Sequence, residues 1–378
     1  MIKIALIGGL GSIGKQTLNV VRRHSDRFKI ISLATGRATE EFYSAVKEFS
    51  PIIATAEKEE YIPSDKINGT EFYFGKDAFL NAIIKEADVL FVSVVGFIGL
   101  KAVLKGIETN KKIALANKEC LVCGGDLVMK KAREKGDDEI PVDSEHSAIF
   151  QALSFNREKK YKKLILTASG GAFRDLTRKE LENVSVFDAL KHPNWKMGAK
   201  ITVDSATMVN KGFEFIEAKH LFNASDNQIE VVLHRESIVH SMVEFEDNSV
   251  IAELSYPSME LPITLALTYP ERITSDVESL DFSKIRSLTF DKLEEGRYPC
   301  FDIVKKCAAY KRGYPLVVNA ANEVLVNAFL TGKIKFTDIE KHLDKTVNAF
   351  HGEELSSFEE MEILDEKIRK QTEKEIEE

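Results

Sequence analysis

Two carboxylates lie two residues apart in the segment PVDSEHSAIFQAL, which runs from Pro141 to Leu153. A short apolar lead-in ends at Asp143, Glu145 follows, and an apolar helical pattern then begins. Where a strand meets a helix, this spacing allows the two carboxylates to converge. Two like charges so close repel each other unless a cation joins them, which suggests a metal site. Helix N-capping by Asp143 or Ser144, with Glu145 near the positive helix end, also accounts for both acids.

A third carboxylate comes from ITVDSATMVNKGFEFIEAKHLF, residues 201–222. We expect a strand at Lys200–Val203 that ends near Asp204, then a helix from about Ala206. On that helix, neighbouring parts of one face are occupied by Asn210, Lys211 and Glu214. Such a face is usually solvated surface, but its place directly after a strand favours a site. Three oxygen ligands without cysteine suit a hard divalent ion such as Mg²⁺ or Mn²⁺.

Hydroxyl and amine groups beside these acids predict a phosphate pocket. Ser205 precedes the predicted helix, where its hydroxyl and the free N–H groups can hold an anion. Ser169 lies in LTASGGAF, a strand that runs into two glycines, where the backbone can approach a ligand closely. The predicted pocket residues are Ser169, Ser205, Asn210 and Lys211.

The segment KHPNWKMGAK, residues 191–200, joins the two predicted substrate-binding segments and contains the single tryptophan, Trp195. Either it anchors the core or it forms a lid. We favour a lid carrying Trp195 and Met197, because closure would exclude water. His192 is either a substrate contact or a structural histidine.

A glycine-rich sequence lies near the start of the chain. Gly9-Leu10-Gly11-Ser12-Ile13-Gly14 is a GxGxxG pattern between a predicted strand, Lys3–Ile7, and a predicted helix, Ser12–Arg23. In that context the glycines let the backbone approach a pyrophosphate, which the helix N-terminus then binds. The alternative is a plain glycine turn.

The second predicted strand, Phe28–Ala34, indicates which nicotinamide cofactor is used. Enzymes that prefer NAD usually carry an acid at the end of this strand. Here the sequence is ATGRAT, without an acid and with Arg37. A guanidinium can bind a 2′-phosphate with paired hydrogen bonds, so we predict NADPH.

The elements that must position these residues alternate strand and helix over the first ~140 residues, as a parallel sheet requires. Further strands are predicted there at Val89–Val95 and Lys112–Ala116. The middle of the chain predicts a second domain with an open sheet, whose strands are Leu164–Ala168, Glu230–His234, Val239–Phe245 and Val250–Ser255. An open sheet favours dimerisation. Residues 269–296 read as a linker, and helices follow at Phe301–Lys311, Val317–Leu330, Phe336–Phe350 and in the tail, Glu353–Glu378.

Composition limits the class of protein. The chain has 378 residues and a net charge of −8, which argues against a nucleic-acid-binding surface. The longest apolar run, Val89–Leu100, is too short to span a bilayer, and no signal peptide is recognised at the start, so a cytoplasmic protein is expected. The cysteine spacing favours neither structural zinc nor redox chemistry.

Together these segments resemble the 1-deoxy-D-xylulose 5-phosphate reductoisomerase family. The resemblance rests on GSIG, ALANKE, PVDSEHSAIFQAL, SGGAF, HPNWKMGAKITVDSATMVNKGFEFIEA and NAANEVLVNAFL, which begin at residues 11, 114, 141, 169, 192 and 319. It implies an α/β chain acting as a homodimer, V-shaped, with a Rossmann-type NADPH domain at 1–142. An α+β catalytic and dimerisation domain with an open sheet at 143–268, a linker at 269–295 and a helical domain at 296–378 would follow.

The resemblance also implies the site residues. The metal, Mg²⁺, Mn²⁺ or Co²⁺, would be held by Asp143, Glu145 and Glu214, which with Lys118 would be catalytic. Substrate contacts would come from Lys118, Ser144, Glu145, Ser169, His192, Ser205, Asn210, Lys211 and Glu214. The NADPH site would be lined by Gly9, Leu10, Gly11, Ser12, Ile13, Gly14, Gly36, Arg37, Ala38, Asn117, Glu119 and Gly198.

The activity implied is the rearrangement of 1-deoxy-D-xylulose 5-phosphate and its reduction by NADPH to 2-C-methyl-D-erythritol 4-phosphate. In this chain Gly9-Leu10 replaces the usual Ser-Thr of the family's phosphate loop. One alternative is another NADP-dependent dehydrogenase, which would not need three metal-binding acids. A second is a nucleotide-binding protein without activity, which would bind NADPH but never consume it.

Overall fold

A computed structural model describes residues 1–109, 111–136, 139–155 and 160–377. The chain forms two compact units. The first contains Met1–Cys120, Val128–Ser147 and Ser258–Val277, and the second contains Leu121–Leu127, Ala148–Pro257 and Glu278–Glu378. In the described ranges, no helix has both the length and the apolar character needed to cross a membrane.

Twelve strands and fourteen α-helices occur in the described residues. The strands are β1 (Ile2–Ile7), β2 (Phe28–Ala38), β3 (Ile53–Glu59), β4 (Glu71–Phe74), β5 (Val89–Val92), β6 (Lys112–Leu115), β7 (Glu139–Pro141), β8 (Lys163–Ala168), β9 (Ile229–Leu233), β10 (Val239–Glu244), β11 (Val250–Leu254) and β12 (Asp291–Lys292). The helices are α1 (Ser12–Arg23), α2 (Glu40–Phe49), α3 (Gly99–Glu108), α4 (Glu119–Lys135), α5 (Ser144–Leu153), α6 (Val186–Ala189), α7 (Ala199–Thr207), α8 (Val209–Phe222), α9 (Glu260–Thr268), α10 (Phe282–Ile285), α11 (Pro299–Tyr310), α12 (Tyr314–Leu330), α13 (Phe336–Ala349) and α14 (Phe358–Glu377).

The first unit is built on a seven-stranded parallel sheet in the order β4-β3-β2-β1-β5-β6-β7. Its central strands are continuous apolar runs, such as VLFV in β5, because helices cover both faces of such a sheet. The strand order reverses beside β1, and ligands bind at such a switch point in open α/β sheets. The predicted Rossmann-type parallel sheet is confirmed.

A later segment of the chain returns to complete the first unit. Helix α9 packs against α1. Two ion pairs join this later segment to the start of the chain: Arg23 pairs with Glu260, and Arg27 pairs with Glu271. The apolar side of α1, which includes Leu18 and Val21, is buried. The first unit is therefore discontinuous in sequence.

The second unit combines a five-stranded mixed sheet with a group of helices. The strand order is β11-β10-β8-β9-β12, in which β8 pairs parallel to β9 and antiparallel to β10. Helix α12 is largely buried and contacts α7, α11, α13 and α14. The end of β8 and helices α7 and α8 carry the predicted substrate residues of this unit, which are Ser169, Ser205, Asn210, Lys211 and Glu214.

Most predicted elements are confirmed within a few residues, and α1 has the predicted bounds. The strand predicted at Lys200–Val203 is wrong, because these residues form the first half of helix α7. The expected single helix from Ala206 is instead the end of α7 followed by α8, with Met208 between them at φ 63°. The predicted C-terminal helix forms from Phe358, and Glu378 lies outside the described residues. The proposed division at residues 142, 268 and 295 stays a prediction.

Candidate active site

The glycine-rich loop connects β1 to α1 with its backbone tightly packed. A Cβ atom on Gly14 would lie 2.2 Å from the Gly8 carbonyl oxygen, so this position admits glycine only. Gly11 caps α1 without any side-chain hydrogen bond, and the first turn of the helix contains no acid. The N–H groups of that turn can therefore donate hydrogen bonds to an anion, as the GxGxxG pattern predicts.

The end of β2 carries Arg37. Its side chain is 70% exposed, and its Nε lies 3.6 Å from Glu60 Oε1. Such a weak exposed pair leaves the guanidinium able to turn toward a phosphate. The assignment of Arg37 to the 2′-phosphate stays a prediction.

Adjacent strands bring Lys118 to Asp143. Strands β6 and β7 pair in parallel, so the residues that follow their carboxyl ends meet at one edge of the sheet. The Lys118 Nζ atom lies 2.5 Å from Asp143 Oδ2, and the two side chains are only 11% and 12% exposed. Ser144 Oγ donates a 2.6 Å hydrogen bond to Glu145 Oε2. The predicted strand–helix junction at this segment is confirmed, with β7 before it and α5 after it.

Asn117 makes its side-chain contacts with the protein backbone. Its Nδ2 donates to the Val94 and Gly96 carbonyls at 2.7 and 2.9 Å, and its Oδ1 accepts from the Cys120 N–H at 3.0 Å. The side chain thus fixes the loop after β5 against the start of α4. The sequence alone did not reveal this role, because ALANKE reads as a strand and a turn.

Helix α8 places Asn210, Lys211 and Glu214 on one face, as their spacing predicts. Asn210 Nδ2 and Lys211 Nζ both donate to the Glu214 carboxylate. Lys211 and Glu214 are 4% and 1% exposed. Burial of two opposite charges is costly unless they are paired and hydrogen-bonded, so this is not an ordinary solvated helix face.

A hydrogen-bond chain links Ser169 to His192. The Ser169 Oγ atom accepts from the Gly171 N–H at 3.2 Å and lies 3.0 Å from His192 Nε2. His192 Nδ1 accepts two backbone N–H groups, those of Asn194 and Trp195, at 3.1 and 2.9 Å. The ring proton therefore sits on Nε2 and points to Ser169 Oγ. Because both acceptor sites of the Ser169 hydroxyl are filled, its own proton points away from Gly171 and His192 and can be donated to a bound anion.

Burial keeps His192 uncharged. Desolvation, followed by the charge of Arg174, lowers the pKa of His192 to about 4. Arg174 also donates to the Ser169 carbonyl at 3.1 Å and to the Arg235 carbonyl at 3.0 Å. Sequence reasoning missed this arginine, although its place directly after SGGAF is a signal for it. It adds a positive charge beside the predicted phosphate pocket.

Ser205 lies close to the Ser169 loop. A Cβ atom on Gly171 would be 2.5 Å from the Ser205 carbonyl oxygen, so the two backbones are in direct contact. Gly170 and Gly171 have φ of +82° and +72°, a conformation that glycine adopts readily. The structure therefore places Ser205 against the loop that follows Ser169 at the end of β8, although Ser205 lies in a helix and not after a strand.

The predicted lid segment rests on the second sheet. Trp195 contacts His240 edge-on, with ring centroids 5.9 Å apart, and Asn194 Nδ2 donates to Arg235 O and Ser237 Oγ at 2.6 and 2.7 Å. Lys196, Met197 and Gly198 belong to neither a helix nor a strand. The assignment of Trp195 and Met197 to a moving lid stays a prediction.

The donor groups fit a hard divalent cation. Asp143, Glu145 and Glu214 offer carboxylate oxygens only, which Mg²⁺ and Mn²⁺ prefer. Asp143 pairs with the ammonium of Lys118, and Glu214 pairs with the ammonium of Lys211.

Comparison with known proteins identifies the family. The family model for 1-deoxy-D-xylulose 5-phosphate reductoisomerase matches residues 4–125, and two models of its C-terminal domains match residues 140–222 and 254–371. A Bacillus cereus protein named 1-deoxy-D-xylulose 5-phosphate reductoisomerase 2 is 46% identical over 374 residues, 98% of both chains. The chain belongs to the 1-deoxy-D-xylulose 5-phosphate reductoisomerase family.

Solved reductoisomerases share this architecture. A crystal structure of DOX-P reductoisomerase with NADPH, fosmidomycin and magnesium has a TM-score of 0.91 and 36% identity, covering 100% of this chain and 98% of that one. The Zymomonas mobilis reductoisomerase with NADPH has the same TM-score and identity, with coverage of 100% and 99%. A Bacillus subtilis reductoisomerase is 47% identical over 92% of each chain. The predicted fold class and family are thus confirmed.

Proposed function

We propose that this chain converts 1-deoxy-D-xylulose 5-phosphate to 2-C-methyl-D-erythritol 4-phosphate, using NADPH and a divalent cation. The observation that carries the proposal is 46% identity to a named reductoisomerase along 98% of both chains. NADPH and magnesium accompany the solved relative with a TM-score of 0.91.

In this proposal Asp143, Glu145 and Glu214 hold the divalent ion. When bound, the ion supplies Lewis-acid polarisation of the substrate oxygens and NADPH supplies the hydride for reduction. Lys118, which is paired with Asp143, keeps a positive charge beside the substrate oxygens. Ser144 lies between two of the acids and orients Glu145 through its hydrogen bond.

The phosphate of the substrate is bound by groups of the second unit. Ser169 donates its outward-directed hydroxyl proton, and Ser205 adds a second hydroxyl from the adjacent backbone. Asn210 and Lys211 contribute an amide and an ammonium, and His192 holds Ser169 in place while uncharged. Binding a phosphate here draws Lys211 away from Glu214 and leaves that carboxylate for the metal.

NADPH is bound by the glycine-rich loop and the end of β2. The pyrophosphate oxygens accept hydrogen bonds from the N–H groups in the first turn of α1. The residues that contact the cofactor there are Gly9, Leu10, Gly11, Ser12, Ile13 and Gly14. Arg37 binds the 2′-phosphate, Gly36 and Ala38 line the cofactor site beside it, and Asn117, Glu119 and Gly198 complete the site. The Trp195 and Met197 lid excludes water from the reacting atoms when it closes.

We further propose that the enzyme is a homodimer. Strand β11 is a sheet edge, and its Val250 and Ile251 side chains are 50% and 36% exposed. An exposed edge strand with apolar residues favours pairing with a second copy. Sedimentation equilibrium distinguishes a monomer from a dimer directly.

The experiment that tests the activity follows NADPH absorbance after addition of 1-deoxy-D-xylulose 5-phosphate with Mg²⁺ or Mn²⁺. Oxidation that stops with excess EDTA and returns with added metal supports the proposal. Oxidation that is indifferent to EDTA would contradict the metal site and favour another NADP-dependent dehydrogenase. NADPH binding without any oxidation would favour a non-catalytic nucleotide-binding protein.

A further inference from the structure

A buried amide joins helix α12 to helix α7. Asn322 is fully buried in α12, a helix whose other buried residues are mostly apolar. Its Nδ2 donates a 2.7 Å hydrogen bond to Asp204 Oδ1, whereas its Oδ1 has no hydrogen-bond partner within the described ranges. Burying an amide whose carbonyl oxygen lacks a hydrogen bond is costly, so stability alone does not explain the residue.

Asp204 is held from two sides. Its second carboxylate oxygen, Oδ2, lies 3.0 Å from Lys200 Nζ, one turn earlier on α7, and its side chain is only 3% exposed. The charge of a buried carboxylate strengthens both contacts. Together with the packing of α7 against α8, α11 and α12, they set the rotation of its last turn about the helix axis.

That rotation determines where Ser205 points. Ser205 follows Asp204 directly, and its carbonyl accepts from the Met208 N–H at 3.2 Å, where the chain turns into α8. On its other side the Ser205 backbone contacts Gly171. Without Asn322, Asp204 Oδ1 would lose the amide that donates to it, and the end of α7 would lose one of the contacts that set its orientation.

We propose that Asn322 is a positioning residue for substrate binding: by holding Asp204, it fixes Ser205 for contact with the substrate phosphate. The inference rests on the proposed function, in which Ser205 binds that phosphate. Asn322 itself touches neither substrate nor cofactor. The C-terminal helices thereby contribute to affinity for the phosphate and not only to folding.

The test compares Asn322→Leu with the double variant Asn322→Asp/Asp204→Asn, which restores an amide–carboxylate bond with the two partners exchanged. The matched control is Arg369→Leu, which breaks the bonds of Arg369 to Glu323 on α12 and to Asp365 without touching α7. Each variant is measured for kcat, for the substrate KM, for the inhibition constant of inorganic phosphate and for thermal midpoint.

We expect Asn322→Leu to raise both the substrate KM and the phosphate inhibition constant by about tenfold with kcat within about twofold. The double variant should restore part of both, because residue 204 then keeps its bond to residue 322 but lacks its ion pair with Lys200. The control should lower the thermal midpoint and leave both constants unchanged. A lowered midpoint in Asn322→Leu with an unchanged phosphate inhibition constant would overturn the inference.

Ser205→Ala distinguishes a failure of the proposed phosphate role of Ser205 from a failure of the positioning role of Asn322. An unchanged phosphate constant in Ser205→Ala means that the assignment of Ser205 in the proposed function is wrong, and the inference falls with it. If the inhibition constant of inorganic phosphate rises in Ser205→Ala but not in Asn322→Leu, the positioning role of Asn322 alone is overturned.

Discussion

Replacing Ser169 with alanine removes the hydroxyl on which the proposed phosphate site depends. In the structure that hydroxyl accepts from Gly171 at 3.2 Å and lies 3.0 Å from His192 Nε2, so its proton is directed outward. A hydrogen bond from a neutral donor to a charged acceptor contributes about 1.5–3 kcal/mol. At about 1.4 kcal/mol per tenfold, Ser169→Ala should raise KM for the phosphorylated substrate by about 10- to 150-fold.

The assay follows initial rates of NADPH oxidation at saturating Mg²⁺, with the substrate concentration varied. We expect kcat to fall less than KM rises, because the phosphate lies away from the reacting carbonyl. The matched control is Ser44→Ala on α2, where an exposed hydroxyl donates to Glu40 O of the same helix at 2.9 Å. A KM within twofold of the unaltered enzyme, or a fall in kcat alone, would refute the phosphate role of Ser169.

Four further predictions follow from the site. His192 should titrate near pH 4 by NMR. Its contribution to the free energy of unfolding should be fully present above about pH 6.5 and lost toward pH 4, because the folded state binds the proton more weakly than the unfolded state does; a midpoint near 6.5 would contradict its neutral role. Arg37→Asp should lower kcat/KM for NADPH relative to NADH by about 10- to 100-fold, and an unchanged ratio would exclude Arg37 from the 2′-phosphate site. Glu214→Gln should raise the Mg²⁺ concentration needed for half-maximal activity more than about tenfold, whereas an unchanged value would remove Glu214 from the metal site. Gly14→Ala should weaken NADPH binding by about tenfold in a fluorescence titration, because the new Cβ would lie 2.2 Å from Gly8 O; unaltered affinity would mean that this turn does not shape the cofactor site.

Local sequence patterns predicted the first unit well. The bounds of α1 follow from a glycine-rich turn before it and from its apolar periodicity, and both signals are local. Strand β2 runs to Ala38 and not to Ala34, because Arg37 and Ala38 pair with Lys58 and Glu59 of β3. That extension depends on a neighbouring strand, which a local pattern does not reveal.

Residues 200–203 show where a local pattern failed. Ile201, Thr202 and Val203 are β-branched and favour a strand. They are helical here because α7 packs against α8, α11 and α12, and Asn322 holds Asp204 from more than a hundred residues away. Tertiary contacts of this kind override propensity and leave no local signal.

The candidate site was predictable in part. The shared face of Asn210, Lys211 and Glu214 follows from helical spacing. The Lys118–Asp143 pair depends on β6 and β7 lying side by side, and the spacing of 25 residues does not reveal that order. Arg174 and Asn322 were missed because their partners are backbone atoms and a residue on another helix.

The return of α9 to the first unit has a consequence for synthesis of the protein on the ribosome. When the residues through Ser147 have emerged, the nucleotide-binding sheet can form, but α1 still lacks the helix that covers it. The entire segment Ala148–Pro257 must be translated before Glu260 and Glu271 reach Arg23 and Arg27. We therefore expect nascent chains that stop before Ser258 to expose apolar surface on α1 and to be bound by chaperones, whereas chains extended past Val277 are released.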